Sequence, residues 1–115
     1  MLNQTVLVGR LVKDPELTET ESGKKVSKIT LAVPRSYKNV NGEYDTDFIE
    51  CILWSGIAES TVEYCQKGDL IGIKGRIQTR TVEKDDERKY YTDVVAEKVT
   101  FLSSKKDTSK EEKEA

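Results

Sequence analysis

Residues 4–12 carry a run of apolar and β-branched side chains (Val6, Leu7, Val8, Leu11, Val12), which predicts a strand. Gly9 inside that run predicts a bulge, a bend or the close approach of another backbone. Asp14-Pro15 breaks the strand, and Ser22-Gly23 marks a turn before a second run, Lys25 to Val33. Pro34 lacks a backbone donor, so an edge or a strand terminus is expected there. Asn41-Gly42 lies between the segments 26–37 and 44–54 and predicts a hairpin with a type I′ turn. The flanking loop, Tyr37 to Asp47, is long for a tight turn and predicts a protruding hairpin. In the third strand, Tyr44 to Trp54, alternation puts Ile49, Cys51 and Leu53 on a core face. Phe48, Glu50, Ile52 and Trp54 take the other.

The period then changes. Ile57, Ala58, Thr61, Val62 and Cys65 recur at helical spacing, predicting a helix of about two to three turns within Ser55–Lys67. Glu63 and Lys67 form a favourable pair four residues apart, and Gly68 supplies a C-terminal stop. Alternation returns at Asp69: Ile71, Ile73 and Ile77 share one face with Gly75, and Lys74, Arg76, Gln78 and Arg80 share the other. A charged loop, Glu83 to Lys89, leads to a last strand, Tyr90 to Leu102. From Ser103 to Ala115 the composition is Lys, Glu, Ser and Thr without period, which predicts a disordered charged tail. Five strands with one short helix between the third and fourth match an all-β, five-stranded OB-fold, a Greek-key barrel spanning residues 1–102. An SH3-like barrel lacks a helix in that place.

Composition changes this picture at two points. The chain has 115 residues, room for one domain, and a formal charge of -2. The four lysines of the tail balance its four acids, so residues 1–102 carry the same -2. A polycation that binds nucleic acid by bulk charge is therefore excluded, and any such role rests on how the charges are arranged. No apolar window is long enough to span a bilayer, and residues 1–20 do not follow the basic-then-apolar order of an export signal. The cytoplasm, in association with the nucleoid, is the expected compartment. Cys51 and Cys65 stand in no metal-ligand spacing, and a reduced, structural role is expected for both.

Catalytic chemistry has little to work with. The chain has no histidine, no glycine-rich phosphate loop with its lysine and no nucleophile elbow. Its carboxylates fall in loops and on the helix, where solvation explains them. No enzyme activity, metal or cofactor is expected. A hydrolase built on paired carboxylates is the weakest alternative.

Two rings sharing a strand face with a carboxylate suit neither a buried nor a solvated surface. Taken singly, each is more often explained by packing, with Trp54 under the helix and Phe48 plugging a barrel end. Lys74, Arg76 and Arg80 taken singly make an ordinary solvated face. Together with Tyr37, which Arg35 and Lys38 flank at the base of the protruding hairpin, they interleave aromatics with cations. Unpaired bases stack on flat rings and phosphates want spaced positive charge, so this grouping points to a groove for a single-stranded polynucleotide. Arg10 and Lys67 complete the candidate phosphate contacts.

The opening Asn3-Gln4-Thr5-Val6-Leu7-Val8-Gly9-Arg10-Leu11, with Asp14-Pro15-Glu16 after it, resembles the start of bacterial and phage single-stranded DNA-binding proteins. So do Ile29-Thr30-Leu31-Ala32-Val33, Ala58-Glu59, Tyr64-Cys65-Gln66-Lys67-Gly68 and Gly75-Arg76-Ile77-Gln78-Thr79-Arg80. The ordered series runs from residue 3 to 102. The resemblance implies an OB-fold homotetramer that wraps single-stranded DNA in replication, recombination, repair or DNA uptake. Stacking aromatics are implied at Tyr37, Phe48 and Trp54. Val82 stands where the family carries a fourth aromatic, which implies weaker or altered binding in that stretch. The tail also departs from the family's acidic tip ending in Pro-Phe, so recruitment of repair and replication enzymes through such a tip is not expected, and a short member is. A competing reading of another class is an OB-fold protein-interaction module, of the primosome type, with little DNA affinity. The acidic balance and Val82 favour it.

Overall fold

A computed structural model describes residues 1–103. Its elements in chain order are β1 (Thr5–Leu11), β2 (Thr18–Glu19), β3 (Lys25–Lys38), β4 (Tyr44–Trp54), α1 (Ser55–Tyr64), β5 (Leu70–Lys84) and β6 (Glu87–Ser103). The two-residue β2, missing from the sequence pattern, is a small hairpin partner of β3. The other five strands are those expected, with α1 between the third and fourth of them. They pair in the order β1-β5-β6-β4-β3, and Arg10 and Leu11 of β1 meet Ala32 and Leu31 of β3 to close the sheet on itself. The β4–β6 pairing is parallel and the rest antiparallel, the topology of an OB-fold barrel.

Alternation fills the interior. Ile29 and Leu31 of β3, Cys51 and Leu53 of β4, Ile71 and Ile73 of β5, and Val94 and Ala96 of β6 form one buried cluster with Leu11. Ala58 and Cys65 extend it under the helix. Two glycines let backbones meet. A Cβ on Gly9 would lie 2.7 Å from the Ala32 carbonyl oxygen, so the closing seam between β1 and β3 requires its absence. A Cβ on Gly75 would collide with the Val95 carbonyl, where the register moves from Lys74–Lys98 to Gly75–Ala96 and Glu97 bulges out of β6.

Several local expectations are corrected. Ile77 shares the face of Ile71 and Ile73 and pairs with the buried Val94, yet it is 47% exposed, because β5 and β6 outrun the barrel and every residue from Ile77 to Thr92 is exposed. The segment 83–89 is no loop, since the ladder continues to Lys84–Glu87 and turns on Asp85-Asp86 alone, both at positive φ (53° and 64°). The primed turn is there, not at Asn41-Gly42. In the β3–β4 hairpin only Gly42 has positive φ, because the Asn39 side-chain oxygen accepts the N–H groups of Asn41 and Glu43 and starts the turn earlier. Pro34 lies inside β3, where its missing donor coincides with a register shift between Pro34 and Lys38. The helix stops at Tyr64, so Lys67 does not pair with Glu63 across it. Asp69 and Asp14 carboxylates accept the Gln66 and Lys67 N–H groups and hold that segment as a turn, with Gly68 at φ 92°. Of the tail expected over residues 103–115, Ser103 ends β6 and the rest lies outside the described residues.

Candidate nucleic-acid interface

With Cys51 and Leu53 buried, the even-numbered residues of β4 face outward. Phe48 is 66% exposed and Trp54 38% exposed on that wall, six residues or about 20 Å apart along the strand. Neither ring plugs the barrel. Tyr37 is exposed on the protruding β3–β4 hairpin, beside Lys38, whose ammonium lies 5.8 Å from the centre of the Tyr44 ring. On that face Phe48 and Glu50 are exposed and Ile52 is half-buried, while Trp54 borders a hollow shared with Gly56, Ile57 and Ser60 of the helix.

Cross-strand register shows what shares the wall. Arg10, Ala32 and Phe48 are direct neighbours across β1, β3 and β4. Lys28, Ile52, Val95 and Arg76 form a second row across β3, β4, β6 and β5. Lys74, Arg76, Gln78 and Arg80 alternate with the buried Ile73 and Gly75, so all four lie on the outward side of β5. The structure thus brings Arg10, Lys74, Arg76 and Arg80 onto the wall that carries Phe48 and Trp54. Tyr37, Arg35 and Lys38 stand together on the hairpin instead. Lys67 is placed apart, on the turn after α1 whose Gly68 carbonyl accepts a 3.0 Å hydrogen bond from Arg10 Nη1.

Not all of these cations are free. Arg35 donates to Asp47 at 2.9 Å and lies 3.7 Å from Asp45, and its hydrogen bond holds the Asp47 carboxyl below the usual carboxylate range. Arg76 donates to the Gln78 side-chain oxygen at 2.6 Å. Arg80 Nε donates to Asp93 at 2.9 Å, and its guanidinium carbon sits 4.4 Å from the centre of the Tyr91 ring. Asp93 is only 4% exposed, so this carboxylate fixes one end of Arg80 while the other reaches solvent. The Arg35–Asp47 pair, exposed on both sides, is weak and yields readily to a phosphate.

Sequence reasoning missed Lys28, Tyr91 and Asp93. Lys28 carried a signal, since it alternates with the buried Ile29 and faces outward. Asp93 showed only as a carboxylate beside Val94 and Val95, and its partner is thirteen residues away on another strand. Cys51 and Cys65 are both unpaired and buried, and burial, aided by Asp93 and Asp69 respectively, pushes their thiols up to about 12 and about 11. Among the described residues no group of three or more metal-binding side chains is clustered. The wall offers flat rings and spaced cations, which suits stacking and charge neutralisation rather than bond chemistry.

Comparison with known proteins bears on the chain as a whole. The family model described as "Single-strand binding protein family" matches residues 2–102. Single-stranded DNA-binding protein B of Bacillus subtilis (strain 168) is 50% identical over 106 residues, which covers 91% of this chain and 94% of that protein. Single-stranded DNA-binding protein 3 of Listeria innocua is 51% identical over 91% of this chain and 66% of its own length. Single-stranded DNA-binding protein 1 of Staphylococcus aureus (strain MSSA476) is 49% identical over 91% of this chain and 68% of its own. With its barrel closed and its model match running almost from end to end of that barrel, the chain belongs to the single-strand binding protein family.

Proposed function

We propose that this protein binds and coats single-stranded DNA without reading its sequence and without catalysis. Bases stack on Tyr37, Phe48 and Trp54, and phosphates are met by Arg10, Lys38, Lys67, Lys74, Arg76 and Arg80, with Arg35 released from its aspartates on contact. The observation that carries this reading is the exposure of Phe48 and Trp54 on one wall, in a strand whose other face buries Cys51 and Leu53 in the core. Replication, recombination, repair and DNA uptake are the processes that expose such strands, and the nucleoid is where the protein would meet them.

The test is a titration of Trp54 emission with long oligo-dT. Quenching at low salt that weakens as salt is raised is expected, because each neutralised phosphate releases counterions. Phe48→Ala should weaken binding by about 1–3 kcal/mol per stacked base lost. A long single strand that neither quenches the emission nor shifts in a gel would instead favour an OB-fold protein-interaction module, a reading to which the net charge of -2 lends some support.

The same reading includes a homotetramer. From Thr5 to Gly9, β1 is paired with β5 on one edge only, and its outward Val6 and Val8 are 70% and 49% exposed. An open apolar strand edge is suited to pairing with another copy. Sedimentation equilibrium giving a monomer mass at working concentration would remove this part and leave strand binding untouched.

A further inference from the structure

The β5–β6 hairpin beyond the barrel buries nothing of its own, yet it holds one ordered polar and aromatic unit. Arg80 and Tyr91 are register partners, the guanidinium lies over the ring, and the buried Asp93 anchors the guanidinium from the barrel side. Two residues further out, Val82 pairs with Lys89 on the same face. Val82, Lys84, Lys89 and Tyr91 line a groove of about 340 Å³ together with Asp85 and Glu87, the latter directly opposite Lys84 in the ladder. Arg88 is bound by Glu83, whereas Lys84 and Lys89 are in no ion pair among the described residues.

From this juxtaposition we propose that Tyr91, braced by Arg80, is a further base-stacking platform, and that the groove beside it seats one nucleotide of a DNA single strand. Val82 forms the apolar wall against the base, and Lys84 and Lys89 face its phosphate. The occupant follows from the chemistry. A half-exposed ring, an aliphatic wall and two ammonium groups in no ion pair among the described residues match a flat base with an anion attached. Continuity supports it too: Arg80 belongs to the outward row of β5 that includes Arg76, so a strand crossing the barrel wall is led out along the hairpin. The inference rests on the single-strand reading above and places one more contact on it, on β6 rather than β5.

The experiment pairs equilibrium binding with photo-crosslinking. Oligo-dT substituted with 5-iodouracil should form an adduct on the Tyr91 peptide under irradiation. Tyr91→Leu, which keeps apolar bulk but loses the ring, should weaken binding about 5- to 100-fold, the range expected for one lost stack. Tyr91→Phe should bind as the parent does, and Val82→Tyr introduced into Tyr91→Leu should restore affinity by returning a ring to the same groove. Should the parent and its Phe48→Ala variant behave as proposed while Tyr91→Leu binds normally and no adduct forms on Tyr91, the groove is not a nucleotide site and the coating function stands. An equal loss in Tyr91→Phe would also overturn the stacking role, since the hydroxyl would then carry the contact. Failure of the parent to bind oligo-dT at all would remove both readings at once.

Discussion

Gly75 concentrates in one residue what the barrel demands locally. Its missing Cβ lets β5 press against the Val95 carbonyl at the point where β6 gains Glu97. Gly75→Ala should therefore cost about 1–3 kcal/mol through displaced backbone, read as a lower midpoint in urea unfolding. A substitution at Gly72, where the nearest atom to an added Cβ is 3.6 Å away, should be much milder. The phenyl ring of Phe48 is the opposite case. It is exposed where packing would not leave it, so its removal should cost affinity and spare stability. Phe48 and Trp54 were legible from sequence because alternation assigns faces one strand at a time. Tyr91 and Asp93 were not, since their meaning comes from Arg80, which meets them only once β5 and β6 pair.

Among the elements, β3, β4 and the inner half of β5 were readable because each alternates between a core and an open face. The outer hairpin escaped the same reasoning. With no core beneath residues 77–92, no apolar alternation is imposed on them, and Glu83–Lys89 looked like a loop. Turn chemistry misled in the same way: Asn41-Gly42 has the preferred residues for a primed turn, but the Asn39 side chain captured the backbone first. Asp85 and Asp86 hold positive φ without the help of glycine, which costs roughly 1 kcal/mol per residue. Replacing the pair by Asn-Gly should relieve that strain. The expected result is slower amide hydrogen exchange at Lys84 and Glu87, with the exchange of core amides such as Ile73 unchanged.

For the whole molecule, the two thiols set an alkaline limit. Burial raises Cys51 to about 12 and Cys65 to about 11 in the folded state, above the ordinary thiol value that the unfolded chain regains. The folded state therefore binds more protons at high pH. Stability is intact below the unfolded thiol pKa near 9 and falls progressively as pH rises from there toward 12. Melting temperatures should drop over that window, and Cys51→Ala with Cys65→Ala should flatten the drop while lowering the starting value through lost packing. The native protein should also resist alkylation at pH 8 and react only when unfolded. At this scale the charge balance acquires meaning as well. The described residues set cations outward along β5 and commit several acids to turns, as Asp14 and Asp69 are committed to the 66–69 turn. Among the described residues no helix is long and apolar enough to cross a membrane.

The two-residue turn at Asp85-Asp86 makes the outer hairpin a ruler with even graduations. Deleting one residue from each arm swaps the side on which every remaining outer side chain points, whereas deleting two from each arm only shortens the reach. A change of arm length in steps of two therefore keeps the same tread of side chains on the same side and only carries it closer to or farther from the barrel.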